Sequence, residues 1–288
     1  MADPQATFSW WHWHFHPDIV LGMLLLEGLY LLGIGPLRKR FALASSVETR
    51  HVALFSLGML VLYAALTGPI HELADNFLFS AHMVQHLLMI LLVPRLLLAG
   101  TPGWLLRPLV RPPLILALGR FLTNPVIAFL IFTTALSVWH LPFLYDLTLR
   151  SHAAHVTEHL MFIASAVIMW WPLMSPLPEL PRASYPIQIV YLFFLSLPPG
   201  FIGAAITFSR RVLYPWYDTV PRIWGLSAIA DQQVGGLIMK IPGALTFMVV
   251  LVVVFFAWYK REGDSYPDQP SENQPDRLEP SHASIPKK

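Results

Sequence analysis

The chain has 288 residues, of which 55% are hydrophobic and only 12% are charged. This composition is too apolar for a soluble domain of such length and is typical of a protein that resides in a lipid bilayer. The formal net charge of +2 is too small to indicate a nucleic-acid partner. Because cysteine is absent, disulfides, iron–sulfur clusters and thiolate metal sites are excluded. Any soft metal ion must therefore be bound by histidine or methionine.

The N-terminal segment, residues 1–17, contains the tryptophan- and histidine-rich run WWHWHFH. It has no basic region and no small-residue cleavage site before the first apolar stretch, so we expect the first span to be retained rather than removed as a signal peptide. The segment is expected to form an arm on the outer side. Its histidines, His12, His14 and His16, either collect metal ions or space the rings of an interfacial aromatic anchor.

Seven apolar stretches are long enough to cross about 30 Å of hydrocarbon as helices. They cover approximately residues 18–37, 51–69, 80–100, 124–142, 152–174, 185–209 and 234–258. The sequence thus predicts an all-α integral membrane protein with a seven-helix transmembrane domain over residues 18–258. The following segment, residues 259–288, is polar and rich in proline, which predicts a disordered tail.

The distribution of basic residues predicts the orientation in the membrane. Residues 38–40 after the first span, and Arg107 and Arg111 after the third, are typical of cytoplasmic connections. The basic residues between 210 and 222 oppose this orientation. The count still favours an N-terminus outside and a C-terminus in the cytoplasm.

Histidines crowd one side of this predicted topology. Only His51 and His282 lie elsewhere, which leaves ten of the twelve histidines at or near the outer face. On the third span, His82, His86 and Met89 follow the spacing i, i+4, i+7 and form one stripe of a helix. Neutral imidazole binds copper, zinc and heme iron, and an i, i+4 pair can grip one ion.

The fifth span opens with a second stripe, formed by His152, His155 and His159 at i, i+3, i+7. His155, Glu158 and His159 also match H-x-x-E-H, the inverted zinc-protease pattern in which the glutamate is the general base. A heme clamped between histidines of the third and fifth spans is a further alternative. The last alternative is a purely structural protein whose histidines bind no metal. In a metal-binding interpretation, Glu158 becomes an accessory residue.

The seventh span begins with DQQVGGLIMK. Asp231 either orients a ligand imidazole through its second nitrogen or caps a helix. Gly235 and Gly236 permit close approach of another helix. Met239 is a further soft accessory ligand, and Lys240 requires an acidic or phosphate partner because an isolated charge inside a membrane is costly.

Several ordered segments resemble the multi-span CtaG family of bacterial cytochrome c oxidase assembly factors. They are WHWHFHPD, HELADNFLFSAHMVQHLLMILLVP, AGTP, VWHLPFLYD, HAAHVTEHLMFIASAVIMWWP and DQQVGGLIMK, and together they extend from about residue 10 to 258. The family histidines map onto His71, His82, His86, His140, His152, His155 and His159. Two positions depart from the family pattern: Arg95, which can extend to the inner surface, and Lys240.

The resemblance implies a role in oxidase maturation rather than catalysis, namely supply of copper, as Cu(I), to the copper B centre. It implies the catalytic subunit of cytochrome c oxidase as the partner, and an extracytoplasmic copper chaperone and membrane lipid as further contacts. The implied location is the bacterial cytoplasmic membrane. A closed four-ligand site would not release its ion, so a transfer role predicts low affinity or an open geometry.

Overall fold

The computed structural model describes residues 8–11, 13 and 16–265, and every regular element in this part of the chain is a helix. The helices are α1 (Pro17–Arg40), α2 (Thr49–Thr67), α3 (Pro69–Asn76), α4 (Phe79–Gly100), α5 (Gly103–Val110), α6 (Pro113–Leu122), α7 (Pro125–Trp139), α8 (Pro142–Arg150), α9 (His152–Met174), α10 (Tyr185–Phe208), α11 (Trp216–Thr219) and α12 (Ala228–Ser265).

Six helical segments of the described chain are long and apolar enough to cross a membrane. These are α1, α2 together with α3, α4, α9, α10 and α12. The count becomes seven if α6 and α7, which meet at a bend of 68°, form one span. The 15 residues of α7 rise only about 22 Å, so α7 alone is shorter than the hydrocarbon layer. The predicted all-helical, multi-pass membrane protein is confirmed.

Proline and capping side chains fix where the helices begin. Pro17 and Pro125 occupy the first turns of α1 and α7, where the missing N–H would have no intrahelical partner. The side chain of Asn124 accepts a hydrogen bond from the backbone N–H two residues later, at 3.0 Å. Ser151 similarly caps α9, the helix that carries three of the candidate ligands.

Helix α4 contains a π-helical turn, Leu88–Leu92, just before Pro94. Because proline has no N–H, the carbonyl of Ile90 loses its usual intrahelical partner. The indole Nε1–H of Trp170 on α9 donates to this carbonyl instead, at 2.9 Å. The guanidinium of Arg95 lies 4.9 Å from the centre of the Trp170 ring, so this cation packs against an aromatic side chain of the protein.

Glycines allow α12 to pack closely against α10 and α4. A Cβ atom on Gly236 would lie 2.4 Å from Oγ1 of Thr207 and 2.7 Å from the carbonyl oxygen of Gly203. A Cβ atom on Gly235 would lie 2.3 Å from Cδ1 of Phe79. The close approach predicted at these two glycines is therefore confirmed, and it brings the start of α12 against the start of α4.

The core lies between α4, α7, α9, α10 and α12. Phe132, Phe162, Met169, Trp170 and Leu192 are among its fully buried side chains. Large apolar side chains are instead exposed on the outside of the bundle, as a lipid-facing surface requires. Examples are Leu25, Leu60, Leu114, Phe193 and Val253.

The last helix is longer than the sequence predicted. Helix α12 begins at Ala228 rather than at residue 234 and continues through residues 259–265, which we predicted to be tail. The rest of that predicted tail lies outside the described residues. Lys240 is exposed on this helix.

Candidate metal centre

Four buried side chains converge near the N-terminal ends of α4 and α9. One ligand atom from each of His82, His86, Glu158 and His159 lies within 4.8 Å of every other. His82 and Glu158 have no exposed surface, and His86 and His159 are only 3% and 6% exposed. We call this group the inner centre. Polar groups that meet in the apolar interior of a membrane protein are costly unless they serve a ligand or one another.

The spacing of the imidazoles suits a shared ion. Nε2 of His82 lies 2.8 Å from Nε2 of His86, so the i, i+4 pair directs two nitrogens at one point. Two ligands bound at about 2.0–2.1 Å to a tetrahedral ion lie about 3.3 Å apart. A small opening of the pair therefore gives ligand geometry. The Nε2 of His86 is also 3.8 Å from a carboxylate oxygen of Glu158.

Tyr217, on α11, fixes which nitrogen of His82 is available. Its hydroxyl donates to the carbonyl oxygen of Ala74 at 2.6 Å, and it lies 3.2 Å from Nδ1 of His82. With its one proton used, the hydroxyl accepts from the Nδ1–H of His82, which leaves the Nε2 lone pair free for the centre. Burial raises the pKa of Tyr217 well above its usual value, so the hydroxyl stays protonated.

Some polar atoms of the cluster have no hydrogen-bond partner among the described residues. These atoms are Nδ1 of His86, Nε2 of His140 and both carboxylate oxygens of Glu158. Nδ1 of His140 donates to the carbonyl of Leu136 at 2.7 Å, so its Nε2 carries a free lone pair. Buried polar atoms left unpaired cost about 1–3 kcal/mol each, and a cation bound at the inner centre would pair with the Glu158 carboxylate.

A small cavity lies directly beneath the inner centre. Its volume is about 30 Å³, and His86, His140, Met83 and Met239 are among its lining residues. The cavity is large enough for an ion or a water molecule. Its thioethers are soft ligands of the kind that Cu(I) prefers. Met239, predicted as an accessory ligand, lines this cavity together with Met83.

Asp231 supports the centre from a distance. Its carboxylate accepts hydrogen bonds from the backbone N–H groups of Phe79, at 2.8 Å, and Ser80, at 3.1 Å. It thus caps α4, the helix that carries His82 and His86, while its own helix is capped by Ser227. No hydrogen bond joins Asp231 to an imidazole among the described residues, so it positions the ligands through the backbone of α4.

A second cluster lies beside the first, and we call it the outer group. It consists of His71 and Asp75 of α3 and His155 of α9, whose ligand atoms also lie within 4.8 Å of one another. Nε2 of His16, at the start of α1, is 3.2 Å from Nε2 of His71. Nε2 of His155 is 3.1 Å from Nε2 of His159, so the outer group is continuous with the inner centre.

The remaining predicted residues are members of neither cluster, although the ring of His152 stacks on that of His16 at 5.7 Å. His152 is 60% exposed and is paired with Asp18 at 2.9 Å, so it joins neither group. Met89 packs in an apolar cluster between α2 and α4, away from the cavity. His12 and His14 lie outside the described residues.

Sequence reasoning missed three contributors: Asp75, Tyr217 and Met83. Asp75 follows His71 by four residues, so the helical spacing of HELAD contains the signal. Met83 follows His82 directly, so it lies outside the stripe of His82 and His86, but it lines the cavity. Tyr217 lies in a connection with no periodic pattern, and nothing in the sequence relates it to His82.

Comparison with known proteins identifies the family. The profile of the cytochrome c oxidase caa3 assembly factor (Caa3_CtaG) matches residues 28–261. Uncharacterized proteins of Mycobacterium bovis and Mycobacterium tuberculosis are 29% identical over 201 residues, and one of Mycobacterium leprae is 26% identical over 209. Each alignment covers 64% of this chain but 30% of the relative, so the chain spans less than a third of the length of these relatives. No solved structure is significantly similar. The chain belongs to the cytochrome c oxidase caa3 assembly factor family.

Proposed function

We propose that this assembly factor binds copper at the inner centre and helps to deliver it to the copper B centre of the oxidase catalytic subunit. One observation carries the proposal: four buried potential ligands, His82, His86, Glu158 and His159, offer atoms within 4.8 Å of one another. Imidazole and carboxylate groups at this spacing form a metal-binding set. Family membership supplies the oxidase as the recipient.

The proposed topology has seven spans, with α6 and α7 forming one of them. The N-terminus is outside and the C-terminus is in the cytoplasm of a bacterial cell, and the protein lies in the cytoplasmic membrane. The basic residues 38–40 and 107–120 support this orientation. The inner centre then lies in the outer half of the bilayer, where an extracytoplasmic copper chaperone can reach it. The exposed apolar face contacts lipid.

The proposed cargo is Cu(I). The cavity beneath the centre is lined by Met83 and Met239 beside His86 and His140. Thioether and imidazole ligands together favour Cu(I) over harder ions. An ion that moves from the Glu158 side toward the methionines exchanges a hard ligand for soft ones, which supports transfer rather than permanent storage.

The heme and protease interpretations have less structural support. A heme held between α4 and α9 needs histidines of both helices on one cavity. The cavity at His86 has a volume of only about 30 Å³, far smaller than a porphyrin requires, and the larger cavity beside His155 has no histidine of α4 in its lining. Glu158 has no exposed surface, whereas the general base of a zinc protease must reach water and a peptide. The metal-free scaffold remains an outcome of the experiment below.

The proposal is tested by copper analysis of purified protein. Full-length protein is loaded with Cu(I) under reducing conditions, desalted and analysed by mass spectrometry and optical spectroscopy. The variant His82→Ala/His86→Ala is expected to lose the ion of the inner centre, because it removes two of the four ligands. His51→Ala is the matched control, since His51 lies at the start of α2 and belongs to neither cluster. The oxidase made in cells that carry the double variant is expected to be copper-deficient.

Four outcomes would contradict the proposal. Absence of copper from the loaded wild type would support the metal-free scaffold. An unchanged copper content in the double variant would remove the inner centre as the binding site. An intense Soret band in the wild type would indicate heme. Peptidase activity that depends on zinc and disappears in Glu158→Gln would support the protease.

A further inference from the structure

The outer group differs from the inner centre in its access to solvent. Its ligands are His71, Asp75 and His155, and the Asp75 side chain is 27% exposed. Oδ2 of Asp75 lies 3.5 Å from Nε2 of His71 and 3.7 Å from Nδ1 of His155. One carboxylate oxygen thus lies between two imidazole nitrogens, with His16 adjacent to the first of them.

These residues line a large cavity between α1, α2, α3 and α9. Its volume is about 400 Å³, and its lining includes His16, Asp18, His71, Asp75 and His155. No lysine or arginine is among the lining residues. Although Asp18 is paired with His152, a concave surface with two carboxylates and no lysine or arginine attracts cations and raises their local concentration.

We propose that the outer group is a separate Cu(I) site that receives the ion and passes it to the inner centre. This inference rests on the proposed function, since it names the route by which the inner centre is loaded. The receiving site is partly exposed and carries a net negative charge when Asp75 is ionised. The inner centre is buried, so an ion reaches it from the neighbouring ligands.

His155 connects the two sites through its two ring nitrogens. Nδ1 faces Asp75 at 3.7 Å, and Nε2 faces Nε2 of His159 at 3.1 Å. A neutral imidazole has one lone pair and one N–H. When Nδ1 binds the ion in the outer group, the Nε2–H donates to His159. Loading of the inner centre then breaks this hydrogen bond and frees the His159 lone pair for the ion, and no electron is transferred.

Gln85 of α4 orients the His71 ring of the outer group. Its amide nitrogen lies 3.1 Å from Nδ1 of His71 and donates to the carbonyl of Ala65 at 3.0 Å. The donated hydrogen bond makes Nδ1 of His71 the acceptor, so Nε2 carries the proton and faces Asp75 and His16. Binding of the ion at Nε2 would move this proton to Nδ1, with the Gln85 amide turned so that its Oε1 accepts from Nδ1–H. The ring is therefore oriented toward the cavity rather than toward the inner centre.

The test is a Cu(I) titration of full-length protein against a chromophoric Cu(I) chelator. Wild type is expected to bind two ions. His71→Gln/Asp75→Asn is expected to bind one ion, at the inner centre, and to load it about tenfold or more slowly because the charge that concentrates cations is reduced. His82→Gln/His86→Gln is expected to retain only the outer ion. The matched control is Glu48→Gln/His51→Gln, which removes an acid–histidine pair of the same kind.

The outcomes separate this inference from the proposed function. If the wild type binds one ion and either pair of substitutions abolishes its binding, the protein has a single site. This result would overturn the inference and leave the proposed copper binding intact. Absence of copper from every sample would overturn both. Retention of the inner ion shows that the outer variant is folded, and Asp75→Glu is expected to restore fast loading. Unchanged occupancy and rate in His71→Gln/Asp75→Asn would also refute the receiving site.

Discussion

Replacement of Asp231 tests whether the ligand helix is held in place from α12. The Asp231 side chain is fully buried and accepts hydrogen bonds from the N–H groups of Phe79 and Ser80. Leu78, the N-cap residue of α4, has no side-chain acceptor of its own. Asp231→Ala therefore leaves two N–H groups at the start of α4 without a partner, in a region that water does not reach.

The expected loss follows from these two hydrogen bonds. A hydrogen bond to a charged group contributes about 1.5–3 kcal/mol, so the pair contributes about 3–6 kcal/mol to the free energy of unfolding. At about 2–4 °C per kcal/mol for a large domain, the apparent Tm of Asp231→Ala is expected to fall by about 6–24 °C. Asp231→Asn keeps one acceptor oxygen and is expected to lose roughly half as much.

Thermal unfolding of purified protein in detergent measures this effect, and Cu(I) affinity measures its consequence for the ligands. Affinity is expected to fall as well, because α4 carries His82 and His86. Asp218→Ala is the control, since Asp218 is exposed on α11. A Tm of Asp231→Ala equal to that of the wild type would refute the capping role. Equal losses for the Ala and Asn variants would show that charge alone, and not the two acceptors, is responsible.

Two further predictions concern the support of the centre. Tyr217→Phe removes the hydroxyl that orients His82, and Cu(I) affinity is expected to fall about 10–100-fold, as for other residues that hold a metal ligand; unchanged affinity would contradict this role. Gly236→Ala places a Cβ atom 2.4 Å from Oγ1 of Thr207 and is expected to lower the stability by about 1–3 kcal/mol through forced separation of α10 and α12. Gly243→Ala, with nothing within 4 Å of the added atom, is expected to keep or raise the Tm, and equal melting of the two variants would refute the close packing.

Hydropathy predicted the membrane-spanning helices because each long apolar run satisfies its own backbone hydrogen bonds and needs no information from the rest of the chain. The boundaries were less predictable. The predicted span 124–142 ends early, at Trp139, because Pro142 starts a new helix. The seventh span was placed too short, since α12 begins at Ala228 with polar residues that are buried by their contacts with α4. Those contacts are tertiary, so the local sequence did not predict this boundary.

Helical spacing predicted part of the site, because residues i and i+4 share one face of a helix whatever the rest of the chain does. His82 and His86 are i, i+4 on one helix, and the structure brings their Nε2 atoms together. The same reasoning predicted that His152 would share the stripe of His155, but His152 is the first residue of α9. Its side chain extends to Asp18 of α1 instead. Spacing specifies a face of a helix, and it does not specify which neighbour that face meets.

Burial of the inner centre changes what delivery requires. The sequence predicted an open or weak site, whereas His82 has no exposed surface and Tyr217 contacts its Nδ1. Under the proposed function, a metal ion in this enclosed set of four ligands would exchange slowly, so its release would require movement of the segment that contains Tyr217, which we call the covering segment. That segment is the connection between α10 and α12, of which only residues 216–219 are helical.

The covering segment is held by the helix that carries the outer group. Trp216 Nε1–H donates to the carbonyl of Asp75 at 2.9 Å, and the Tyr217 hydroxyl donates to the carbonyl of the preceding residue. Asp75 thus contributes its backbone to the cover and its carboxylate to the outer group. A movement of α3 that draws Asp75 toward an ion acts on the same hydrogen bonds that hold Tyr217 against His82. In the proposed route, arrival of an ion at the outer group and opening of the inner centre would therefore both act through this short helix.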